Sequence, residues 1–132
     1  MTKRNPMADF IAAAEEQFDY LTNTRGFFGP ERRPDGLAYH SPSLEVDVLF
    51  DPREESVVTL VQAMVEDRHL RAELSCLYAE AGLGPVQDIK RAARTGHTLQ
   101  RSMASQSEAL KRLLPVLTGP TKDKLLKICH AR

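Results

Sequence analysis

Missing features set the first bounds. The 132-residue chain has no tryptophan, two widely separated cysteines, no apolar run beyond a few residues and no net charge, 18 Lys and Arg standing against 18 Asp and Glu. A membrane-spanning helix needs roughly 20 consecutive apolar residues, and stretches such as Val57-Val58, Leu60-Val61 and Leu113-Leu114 fall far short. The start, Met1-Thr2-Lys3-Arg4-Asn5-Pro6, is basic but leads into Asp9, Glu15 and Glu16 without the apolar core of a leader. The chain therefore reads as cytoplasmic, with no membrane contact. Cys76 and Cys129 stand at apolar helical positions and read as buried thiols, a disulfide or a reactive thiol being the alternatives. Pro and Gly are dispersed, so no low-complexity linker divides residues 1–132, which read as a single domain.

Catalytic signatures are missing too. No Gly-Lys-Ser/Thr phosphate loop and no Gly-x-Ser-x-Gly elbow occurs. Gly82-x-Gly84 lacks the third glycine and the preceding strand of a dinucleotide site, and reads as a helix stop. His40, His69, His97 and His130 lie in separate segments without metal-ligand spacing. His40 beside Ser41, with Asp47 beyond, offers three triad residue types, but adjacent residues on an extended chain point opposite ways. A turn with an exposed imidazole is the plainer reading. No enzyme, cofactor or metal is expected.

What is present is an uneven layout of charge. Residues 1–66 hold 6 Lys and Arg against 12 Asp and Glu, and residues 67–132 hold 12 against 6. Asn5 can cap a helix whose apolar positions run from Met7 through Phe10, Ile11, Ala14 and Phe18 to Leu21, stopping at Arg25-Gly26. Phe27 to Gly36 is rich in turn formers and reads as a connecting loop. Leu37–His40, Leu44–Phe50 and Ser56–Val65 read as three strands, the second alternating apolar residues with Glu45 and Asp47. Leu70, Leu74, Leu77, Tyr78 and Ala81 begin an all-helical remainder. A short helix is expected around Val86 to Ala93, then a long one after Gly96 that Pro115 kinks or restarts, then a last one after Gly119-Pro120. A three-stranded sheet is unstable alone. The expected fold is α+β: an N-terminal helix, a three-stranded antiparallel meander and C-terminal helices on one face, in two layers. An acidic helix-plus-meander half, residues 1–66, precedes a basic helical half, residues 67–132.

Two charged surfaces are candidate sites. Glu45 and Asp47 should share the wet face of their strand, with Asp51, Glu54 and Glu55 clustered in the following turn. Lys90, Arg91, Arg94, Arg101, Lys111 and Arg112 form a basic run that could meet phosphates. Base-stacking aromatics are absent from that run, and a neutral chain is poorly suited to polyanions.

Phe18-Asp19-Tyr20-Leu21, Gly26-Phe27, the run from Tyr39 through Ser43-Leu44-Glu45-Val46-Asp47-Val48, and Asp51-Pro52-Arg53-Glu54 carry a resemblance over roughly residues 10–65. In these motifs, and in a leucine-rich C-terminal helix followed by Thr118-Gly119, the chain resembles small uncharacterised bacterial α+β proteins, some thought to be immunity proteins of polymorphic or contact-dependent toxins. That resemblance implies stoichiometric binding that blocks a toxin, without turnover. The expectation is a non-enzymatic protein-binding protein using Glu45, Asp47, Asp51, Glu54 and Glu55. The alternative is a nucleic-acid-binding regulator using Arg91, Arg94 and Arg101.

Overall fold

Asn5 opens α1 (Pro6–Gln17) as expected: its side chain accepts from the Ala8 amide at 3.1 Å, and Pro6 takes the first turn, where its missing N–H costs nothing. These details come from a computed structural model, which describes residues 5–130. The helix is shorter than its apolar spacing suggested. It ends at Phe18, and a separate turn of helix, α2 (Tyr20–Thr24), carries Leu21 into the core.

The sheet has five antiparallel strands: β1 (Phe28–Arg33), β2 (Gly36–His40), β3 (Glu45–Asp51), β4 (Ser56–Val65) and β5 (Arg68–Glu73). They lie in chain order, each paired to the next. The α+β class and the meander hold, and the three expected strands are β2, β3 and β4. The count of three is corrected at both ends. β1 occupies the segment read as a loop, because all six of its residues are exposed and no apolar face marks it. β5 occupies the start of the half expected to be helical, and its inward residues are Leu70 and Ala72.

α3 (Leu74–Glu80), α4 (Gly96–Leu117) and α5 (Lys122–Cys129) follow. The expected helix from Val86 to Ala93 is a single 3-10 turn, Val86–Asp88, and then extended chain. Residues 91–93 run beside the start of β4, where Val57 N–H donates to the Arg91 carbonyl and Ala93 N–H to the Glu55 carbonyl, both at 2.8 Å. α4 begins with a capping box between Thr95 and Thr98 and continues through Pro115 to Leu117 without restarting. Its stripe of Leu99, Met103, Leu110, Leu113, Leu114 and Leu117 is buried, each side chain contributing about 1.5–3 kcal/mol by leaving water.

Val46, Val48, Phe50, Val57 and Val61 point from β3 and β4 into this core. α1 reaches the same face through Phe10, whose ring stacks on Phe50 at 5.6 Å, and α4 through Gln106, which meets Thr59. α5 lies along β5, where His130 forms a bridge with Ala72 and its Nδ1 accepts from the Arg71 amide. At the opposite side of the sheet, β1 carries Pro30 within an irregularity of register between Phe28 and Glu31.

The reading of Cys76 and Cys129 as free thiols is overturned. They form a disulfide that ties α3 to α5, with Cα atoms 5.8 Å apart. Helical spacing put each on an apolar face, and it carried no signal that the two faces meet. Among the described residues no helix is long and apolar enough to cross a membrane.

Candidate binding face

Antiparallel register decides what stands beside Glu45. Phe28 pairs with His40, His40 with Glu45, Glu45 with Gln62 and Gln62 with Arg71, so one row of side chains crosses all five strands. Residues two places along a strand share a face. The neighbouring row on the same face is therefore Ala38, Asp47, Leu60 and Glu73, and beyond Gln62 and Arg71 lie Met64 and His69. This is the face opposite α1 and α4.

The polar groups of the two rows are joined. His40 places Nε2 3.2 Å from Glu31 and Nδ1 3.1 Å from Glu45. Gln62 donates from its amide nitrogen to Glu45 at 2.9 Å and to Asp47 Oδ2. Arg33 adds an ion pair with Glu31 at 3.2 Å. Glu45 is half-buried, while Asp47 is only 6% exposed. The expectation of a solvated Asp47 is thus corrected: the carboxylate lies beneath the longer Gln62 and Glu45 side chains. Burial, and next a hydrogen bond with Glu45, push its pKa up to about 6, against the opposing effect of the bond from Gln62. Asp47 Oδ1 is buried and accepts no hydrogen bond; among the described residues the Tyr39 hydroxyl shares that condition.

Large apolar side chains flank these carboxylates in solvent. Phe28, at one end of the row, is 70% exposed, and Met64 is 60% exposed. An exposed apolar residue is ordinary singly. Here two of the four large exposed hydrophobic side chains among the described residues fall on the face that holds the buried carboxylate.

The remaining acidic candidates stand apart. Asp51 ends β3, four residues beyond Asp47, which at about 3.4 Å per residue is roughly 14 Å away. Its Oδ1 accepts from the amides of Arg53 and Glu54, closing the turn. Glu54 is exposed, and Glu55, at φ 49°, lies 3.9 Å from Arg94. The five carboxylates expected to form one patch are thus divided between a strand face and a distant turn. The three basic candidates also separate. Arg91 approaches Glu73 at 3.8 Å and Arg94 approaches Glu55, while Arg101 is exposed on α4. Lys127 meets Glu66 at 2.8 Å, so ion pairs through Glu55 and Glu66 join the acidic and basic halves, which also share the β4–β5 pairing.

Sequence reasoning missed Glu31, Gln62, Phe28 and Met64; His40 ends its strand as the expected Leu37–His40 run had it, and the exposed turn of its plainer reading is not where it lies. A signal existed. Tight turns fix register, and once β2, β3 and β4 are joined by short links, His40 and Gln62 must sit opposite Glu45. Among the described residues no group of three or more His, Cys, Asp or Glu side chains is arranged to hold a metal ion. No protein-family model, curated protein or solved structure matches this chain.

Proposed function

We propose that this is a non-catalytic binding protein whose sheet face, the one opposite α1 and α4, docks a basic surface of another protein. The observation that supports this most is Asp47: a buried carboxylate oxygen without a donor, beside Glu45, on a face rimmed by exposed Phe28 and Met64. A partner Arg or Lys that displaces the covering Gln62 and Glu45 side chains supplies the missing donor, and partly buried charge-assisted hydrogen bonds of this kind fix register and slow dissociation. Phe28 and Met64 provide the apolar contact around it. Taken with the resemblance to immunity proteins, the partner is a toxin domain, neutralised by occupancy. Asp51, Glu54 and Glu55, at the far end of β3, are a secondary contact that steers encounter. The disulfide favours an oxidising compartment over the cytoplasm expected from the sequence. The nucleic-acid alternative gains no support from Arg91 and Arg94, each of which lies near a carboxylate.

Affinity capture from the native cell, with the parent chain and a Glu45→Lys variant side by side, tests this. A protein retained by the parent and released about thirtyfold more readily by the variant, at unchanged melting temperature, supports the proposal. Equal retention by the two chains overturns it.

A further inference from the structure

A second site lies at one end of the molecule, where the α2–β1 turn, the β2–β3 turn and the last turn of α4 enclose a cleft of about 490 Å3. That volume falls within the 300–1,000 Å3 typical of small-molecule sites. Phe27, Leu44 and Leu114 form a buried apolar floor, and Pro42 and Pro115 make the walls at the rim. Among the lining side chains only Arg25 is charged. Among the described residues no carboxylate lies within ion-pair distance of its guanidinium, whereas Arg33, Arg91 and Arg94 each approach one.

Such a lining discriminates by charge. The guanidinium presents a planar fork of donors that suits a carboxylate or sulfonate, and the floor accepts an aryl or short alkyl body. A cation meets Arg25 with no acidic side chain in the lining to offset it. We propose that this cleft binds a small organic monoanion, with its apolar body on Phe27, Leu44 and Leu114 and its anionic head on Arg25. The site shares no lining residue with the Glu45 and Asp47 cluster, so this proposal stands or falls separately from the docking of a protein partner.

The probe is 8-anilinonaphthalene-1-sulfonate, an aryl monoanion that fluoresces on leaving water, compared with its uncharged parent N-phenyl-1-naphthylamine. The unaltered protein should bind the sulfonate saturably at one site and about tenfold more tightly than the neutral parent, the discrimination expected of one charge-assisted contact. Arg25→Ala should remove that preference while leaving the neutral compound bound. Ser43→Trp, at an exposed lining position, should fill the cleft and abolish binding of both. Equal affinity for the charged and neutral compounds on the unaltered protein overturns the proposal, as does sulfonate binding that ignores Ser43→Trp.

Discussion

The Thr59 hydroxyl on β4 donates to the side-chain oxygen of Gln106 on α4 at 2.8 Å, and both residues are buried. The Gln106 amide nitrogen then donates to the carbonyls of Val57 and Lys90 at 2.9 and 2.8 Å. One side chain therefore holds a helix, a strand and the extended segment beside it in a single register. Replacing Gln106 with Leu leaves a buried hydroxyl and two carbonyls without this partner, and should cost about 2–4 kcal/mol in denaturant unfolding. A loss below about 0.5 kcal/mol refutes this account of the junction.

Asp47 gives the stability a signature in pH. Its pKa is about 6 in the folded chain against an ordinary 3.8, so the folded chain binds the proton more readily than the unfolded chain between those values. Its contribution is therefore most favourable below about pH 4 and is lost as pH rises through 6. Asp47→Asn keeps the shape and removes the charge. The variant should be more stable than the parent by about 1–3 kcal/mol at pH 7–8, with the difference shrinking towards zero near pH 4. Thermal melts of both chains across this range check the sign, and a difference that grows on acidification contradicts it.

The Cys76–Cys129 disulfide closes a loop with a sequence separation of 53. Chain-entropy reasoning gives a loop of that size about 4 kcal/mol as an upper value. Reduction with a dithiol, or the double change Cys76→Ser and Cys129→Ser, should lower the unfolding free energy by about 2–4 kcal/mol. Thiol counting on the denatured, unreduced chain offers a direct check, since two reactive thiols there would contradict the bond.

Gly36 opens β2 against β3 so closely that a Cβ at this position collides with the Val48 carbonyl. That atom is backbone within the ladder and cannot rotate aside. Gly36→Ala should force β2 and β3 apart and cost about 2 kcal/mol or more, by analogy with overpacked cores. Unchanged stability would show that the approach is looser than described.

The elements legible in the sequence were those whose burial leaves a period. The α4 stripe and the alternation from Val46 to Phe50 are direct imprints of one covered face. β1 was illegible because every one of its residues is exposed, so pairing with β2 rather than burial makes it a strand. β5 was hidden by its turn. Glu66 and Asp67 both adopt positive φ, 52° and 66°, the conformation of a two-residue hairpin that Asn-Gly usually signals. Without that cue, the four-residue step from Leu70 to Leu74 imitates a helix. At the candidate site, Glu45 and Asp47 were visible from alternation alone. Their partners His40, Gln62 and Glu31 depend on cross-strand register, and the burial of Asp47 depends on the lengths of the side chains around it.

The two sides of the sheet are finished differently, and this constrains how the protein can associate. Along β5, the bridge from His130 occupies hydrogen-bonding positions at Ala72 and Arg71. Along β1, Pro30 lacks an amide to offer, and the slip in register between Phe28 and Glu31 breaks the spacing that an added strand must match. Each outer strand is thus interrupted, at Arg71-Ala72 and at Pro30, which works against the regular row of unsatisfied backbone groups that templates fibrils and strand exchange. The chain is thereby guarded against lengthening its own sheet, and recognition falls to side chains, where a single substitution can alter the choice of partner without disturbing the strands beneath.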